Sequence, residues 1–260
     1  MADAVSEYER HRRAPDNWAL GRFVVPLSRW SELESCVPKL PGSDAWSLSV
    51  LAAPTDAARL REIRGHPRLA VQAVECKTAT IDDVAGLGEL VRAGIDVFAE
   101  LGVSADLAAL AVALRRVGAS AKIRTGGVTP DAFPSSREVL RFLRACLNAG
   151  VRFKATAGLH HAVRGEYRLT YEPSPPTGTM FGFLNIALAA ALLRFGRDDQ
   201  TVIAVLEERA PDAFEFTDAG VSWRDERLTL RELDEVRAAF FAGFGSCSFS
   251  EPMAEVGLQA

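Results

Sequence analysis

At 260 residues, 48% of them apolar, the chain can bury a sizeable core, which excludes a disordered or collagen-like protein. Its formal charge of −4 excludes a general nucleic-acid binder, because phosphate affinity needs a cationic surface; a local basic cluster can still hold a small anion. The four cysteines, Cys36, Cys76, Cys146 and Cys247, have no CxxC or other ligand spacing and read as free thiols rather than a zinc site.

The opening run, MADAVSEYERHRRAPD, lacks an apolar centre, so no signal peptide is expected and the cytoplasm is the expected location. Short β-prone runs then follow at 23–27 (FVVPL), 47–53 (SLSVLAA), 69–77 (LAVQAVECK), 95–101 (IDVFAEL), 120–126 (SAKIRTG) and 151–157 (VRFKATA). Between them SRWSELESCVPKL, TDAARLREIRG, TIDDVAGLGELVRAG, SADLAALAVALRRVG and SSREVLRFLRACLNAG place apolar residues at helical spacing. Most of these begin with Ser, Thr or Asp as cap, and several end in Gly.

After residue 160 the rhythm changes. HAVRGEYRLTYEPSPPTGTM reads as a long loop in which Arg164, Tyr167, Arg168 and Tyr171 are placed to close over a ligand. The apolar run FLNIALAAALL is too short to span a bilayer and reads as a buried helix within about 181–195. A hairpin at FEFTDAGVSW and a last helix over LRELDEVRAAFFAGF complete the chain.

Alternating strands and helices leave a (β/α) barrel or an open doubly wound sheet, and no GxGxxG follows the first strand. The expected fold is therefore α/β, a (β/α)8-like (TIM) barrel irregular in its last strands. It spans residues 1–260 as one domain, with a helical part from about 181.

Charge inside a strand covered on both faces is costly unless it sits at an end or faces a solvated site. Glu75 and Lys77 end one strand, Glu100 the next, Lys122 and Arg124 the next, and Lys154 and Thr156 the last. A spacing of two puts both members of a pair on one side, so four successive strands deliver charge to one rim, where barrel active sites form. A plugging ion pair explains one such strand as well as a site does; four in succession favour a site.

The turn Thr125-Gly126-Gly127 lets backbone N–H groups approach an anion beside Lys122 and Arg124. Lys154 stands in an otherwise apolar strand, and a desolvated lysine is a nucleophile for carbonyl carbon; paired with Glu75 or Glu100 it would instead stay charged and hold an anion. His160 and His161 point in opposite directions on an extended segment, so at most one joins the lysine, as acid/base or as metal ligand with Glu75 and Glu100. In GSCSFSEP, Cys247 or Ser248 contacts ligand only if the segment returns to the rim, and otherwise packs.

KIRTGG and FKATAGLHH look like segments of a family of bacterial (β/α)-barrel proteins, a resemblance that implies the fold but no activity. Lys154-Ala155-Thr156-Ala157-Gly158 and Lys122-Ile123-Arg124-Thr125-Gly126-Gly127 are also similar to two runs of deoxyribose-phosphate-aldolase-type class I aldolases. That family forms its Schiff base on the lysine of a Lys-Thr-Ser-Thr-Gly run and carries a second lysine before a Ser-Gly-Gly turn. The resemblance implies Lys154 as nucleophile, Lys122 as the cation that tunes it, and Gly126 and Gly127 as phosphate contacts.

The sequence thus predicts a lyase, aldolase- or isomerase-like, acting on a small anionic carbonyl compound without cofactor or metal. Lys154, Glu75, Glu100, His160 and Lys77 are its candidate catalytic residues. Lys122, Arg124, Thr125, Gly126, Gly127, Thr156, His161 and Arg164 are its candidate substrate contacts. No membrane or nucleic-acid partner is expected, and a homo-oligomer fits as well as a monomer. Two alternatives share these residues: metal-assisted enolate or hydrolytic chemistry through His160, Glu75 and Glu100, and a non-catalytic barrel that binds a metabolite or a protein.

Overall fold

A computed structural model describes residues 1–37, 44–103 and 105–256. The end of the SRWSELESCVPKL helix reading (38–40) and the start of the SADLAALAVALRRVG reading (Ser104) lie outside them.

The helix α1 (Ala2–Arg12) comes first, with Val5 buried and Tyr8 against Trp46 at a ring separation of 4.7 Å. The chain then runs β1 (Phe23–Pro26), α2 (Trp30–Glu34), β2 (Trp46–Leu51), α3 (Ala57–Ile63) and β3 (Leu69–Thr78). It continues through α4 (Ile81–Gly86), α5 (Gly88–Arg92), β4 (Asp96–Leu101), α6 (Leu107–Val117), β5 (Ser120–Arg124), α7 (Ser136–Ala149) and β6 (Phe153–Thr156).

All six predicted strands are present and pair in parallel, each with the next along the chain. Parallel neighbours need covering helices, and the caps show why these segments stop and start where they do. Thr80 with Asp83 starts α4, and Ser135 with Glu138 starts α7, each as a reciprocal pair of side-chain and backbone hydrogen bonds. Gly118 and Gly150 end α6 and α7 in the left-handed conformation.

Beyond β6 the structure departs from the sequence reading. The predicted long loop contains an antiparallel hairpin, β7 (Gly165–Arg168) with β8 (Thr177–Met180). The helix α8 (Phe183–Arg194) forms as expected; apolar on every side, it is buried, and its Asn185 donates to Val205 O and Glu208 O. TVIAVLE lies in α9 (Asp199–Glu207), and the predicted hairpin belongs to a three-stranded sheet of β9 (Phe214–Thr217), β10 (Gly220–Trp223) and β11 (Glu226–Thr229).

The last helix is shorter than its apolar pattern suggested. The helix α10 (Leu230–Ala239) gives way to β12 (Phe241–Gly245), which pairs in parallel with β6, and α11 (Ser250–Glu255) follows. Phe240 and Phe241 hold β12 there, with ring centroids 5.0 and 5.2 Å from that of Phe153.

The main sheet is thus a curled, seven-stranded parallel half-barrel in the order β1-β2-β3-β4-β5-β6-β12, with helices interleaved. Among the described residues no eighth strand joins it, and β1 and β12 are its two edges. Buried apolar residues from Val5 to Phe241 form one cluster. No helix among the described residues is long and apolar enough to cross a membrane.

Candidate functional site

Register brings the rim charges into one row. Lys77 stands beside Glu100, Glu100 beside Lys122, and Lys122 beside Lys154, on β3, β4, β5 and β6. Two lysines side by side repel, and one carboxylate relieves them. Glu75 Oε1 accepts from Lys154 Nζ at 2.7 Å and its Oε2 meets Lys122 Nζ at 2.8 Å, while Glu100 Oε2 also lies 2.8 Å from Lys122 Nζ. Ser49 on β2 completes Glu75 with a 2.7 Å hydrogen bond.

Two carboxylates and two ammonium groups therefore cancel in a buried row, the arrangement that makes burial of charge tolerable. Burial pushes the Glu75 carboxyl up, but the charges of Lys154 and Lys122 outweigh it and hold the group at about 2. Side-chain exposure differs between the lysines, 15% for Lys154 against 6% for Lys122, so Lys154 is the one nearer solvent. Its ammonium lies 5.3 Å from the ring centroid of Phe98.

A cleft of about 740 Å³ opens at the C-terminal ends of β3, β4 and β5. Lys77, Glu100, Arg124, Gly126, Gly127 and Phe133 line it, whereas Glu75, Lys122 and Lys154 lie beneath the rim rather than on its wall. Asp83 and Glu138, also at its edge, engage their carboxylates in the caps of α4 and α7.

The amides of Gly126 and Gly127 find no acceptor among the described residues. Both glycines also answer a packing need, since a Cβ on Gly126 would lie 2.4 Å from Phe133 Cε1 and one on Gly127 2.6 Å from Ala132 Cβ. Gly126→Ala is accordingly expected to push Phe133 out of the cleft wall and to cost about 1–3 kcal/mol. Thermal denaturation checks this, and an unaltered Tm would mean that Phe133 yields freely.

Thr125 is fully buried; its hydroxyl donates to Ala157 O at 2.8 Å and ties the ends of β5 and β6 together. Thr156 is half-buried at the end of β6, opposite Arg124. No family model, curated protein or solved structure matches the chain.

The remaining candidates sit away from the lysine row. His161 stacks on Tyr167 at 3.5 Å and pairs with Glu255 at 2.5 Å. Arg164 lies over the Phe181 ring at 4.4 Å and lines a neighbouring cleft of about 550 Å³, beside the hairpin of β7 and β8. His160 contacts Ser246, Cys247 and Glu251.

The residues of the metal-assisted alternative thus fall in two networks, Glu75 and Glu100 on lysines and His160 on Glu251. Among the described residues no three His, Cys, Asp or Glu side chains are grouped to hold a metal ion. Sequence reasoning missed Ser49, Phe98 and Glu251. For Ser49 the signal was partial, since WSLSVL carries two hydroxyls, Ser47 and Ser49, among apolar residues. For Glu251 there was none, since only folding brings it to His160.

Proposed function

We propose that this protein is an enzyme of the lyase or isomerase type, acting on a small anionic carbonyl compound through a Schiff base on Lys154. The observation that carries the reading is the pair of lysines from adjacent strands sharing the buried carboxylate of Glu75. Lys154, the more exposed of the two, is the nucleophile; Lys122 is the fixed positive charge beside it.

The chemistry follows from that placement. Lys154 Nζ releases a proton and adds to the carbonyl carbon; water leaves, and the resulting iminium draws electrons from the neighbouring C–C or C–H bond. Glu75 and Glu100 are within hydrogen-bond reach of the row to move protons. Lys77, Arg124 and the free amides of Gly126 and Gly127 supply the anion contacts in the cleft.

The half-barrel, with its charged row at the C-terminal ends of the strands, supports a (β/α)-barrel type of active-site rim. The same reading puts the protein in the cytoplasm with a small metabolite as ligand.

The test is incubation with a metabolite extract and sodium borohydride, followed by peptide mass spectrometry. A reduced adduct on Lys154 is expected, and its mass identifies the carbonyl compound. Turnover of an identified substrate with Lys154 unlabelled, or with the label on Lys122, overturns the assignment.

A further inference from the structure

A second group of reactive side chains sits beside the lysine row and takes no part in it. The strands β6 and β12 are neighbours, with Thr156 opposite Gly245, so the segments that leave their C-terminal ends emerge together. Ala157 and Gly158, both in the left-handed region at φ 68° and 73°, turn the chain out of β6 and lead to His160. Cys247 follows β12 by two residues.

Cys247 Sγ lies 3.6 Å from His160 Nε2 and 3.7 Å from Nδ1. Glu251 Oε2 is 3.2 Å from Nδ1, and the Tyr171 hydroxyl donates to both oxygens of Glu251 at 3.0 and 3.1 Å. Ser246 Oγ approaches Nδ1 at 3.3 Å. A carboxylate on Nδ1 selects the tautomer that carries its proton there and leaves the Nε2 lone pair to take a proton from the thiol.

The other cysteines differ. Cys76 and Cys146 are buried, and burial pushes the Cys76 thiol up to about 12. Cys36 is half-buried and donates to the Glu32 carbonyl within its own helical turn. Cys247 alone is exposed, and it alone has an imidazole in contact. The hydrogen bond to His160 draws the Cys247 thiol below its ordinary range against the opposing effect of burial, and that same bond raises His160. The groups facing the sulfur are thus His160, Tyr171 and, one step away, Glu251.

We propose that Cys247 is a nucleophile for the acyl carbon of esters or thioesters, with His160 as its base and Glu251 as the residue that positions the imidazole. Sγ bonds to the acyl carbon as the carbon–leaving-group bond breaks, and the thiol proton passes through His160 Nε2 to the departing alcohol or thiol. Water then attacks the thioester carbon on Cys247; Nε2 accepts a proton from that water and passes it to Sγ as the carbon–sulfur bond breaks, so that a carboxylic acid leaves and the free thiol is restored. None of these atoms belongs to Lys154, Glu75 or Lys122, so failure of borohydride trapping would leave this site standing.

Two measurements on the wild-type protein decide it. In the first, iodoacetamide labelling is followed by peptide mass spectrometry from pH 6 to 8. Cys247 should react at pH 6 about tenfold or more faster than Cys36, with a rate that rises less steeply with pH than that of an ordinary thiol. In the second, p-nitrophenyl acetate should leave one acetyl group on Cys247 with a burst of p-nitrophenol. His160→Gln should remove the low-pH labelling and the burst, and Glu251→Gln should move the pH profile towards that of an ordinary thiol. A Cys247 labelling rate that climbs about tenfold per pH unit, as an unactivated thiol does, or treatment with the ester that leaves Cys247 unacetylated, overturns the proposal.

Discussion

Glu75→Gln should be among the most damaging single substitutions in this protein, lowering stability by about 3–5 kcal/mol, because it removes the charge that balances two buried ammonium groups. Lys122 keeps Glu100, but Lys154 loses its partner. For a chain of this size the loss corresponds to a fall in Tm of roughly 10 °C.

The effect should depend on pH in a defined direction. The folded protein holds the Glu75 carboxyl at about 2, below its ordinary value of 4.5. A group depressed in this way stabilises the fold fully above the unfolded value, and its contribution fades as pH falls from about 4.5 towards 2. The gap in stability between wild type and Glu75→Gln should therefore be widest near neutrality and narrow on acidification. Urea denaturation at neutral pH and near pH 3 measures it, and a gap that stays constant would show that Glu75 is not held by the lysines.

Lys154→Arg should leave the protein folded and yet abolish borohydride trapping, with turnover reduced on the order of 10³-fold or more. Arginine retains the positive charge and can still meet Glu75, so the ion pair survives in kind. Its guanidinium does not lose a proton and forms no imine. The substitution thus separates chemistry from charge. If the lysine row only binds an anion, Lys154→Arg should keep ligand affinity and the ligand-induced rise in Tm, and no substrate conversion would be seen in the wild type either. Near-normal turnover by Lys154→Arg would eliminate the Schiff-base reading.

Much of this molecule is legible along the chain because its first six strands obey local rules. The β-prone runs from FVVPL to VRFKATA alternate with helices, three of which begin on a side-chain cap (Thr80, Asp106 and Ser135), and each strand pairs with its sequence neighbour. The two-residue side-chain period puts Lys122 with Arg124 and Lys154 with Thr156 on shared faces without knowledge of the fold. The C-terminal part obeys no such rule. FAGFG continues the apolar pattern of the helix before it, and it is a strand because Phe240 and Phe241 find the Phe153 ring, about 90 residues earlier in the chain.

The candidate sites divide in the same way. Composition and spacing alone determined that acidic and basic groups gather at the C-terminal ends of consecutive strands, since period and strand order are enough to put them there. Which carboxylate meets which lysine was a tertiary decision: Glu75 reaches past β4 to both Lys122 and Lys154 because the sheet curls and stacks their rows. The meeting of His160 with Cys247 and Glu251, 87 and 91 residues away, was likewise invisible until β12 closed against β6. Side-chain period sets the face of a strand from the sequence, but lateral neighbours depend on which strand arrives beside it, and that is set by the packing of the whole core.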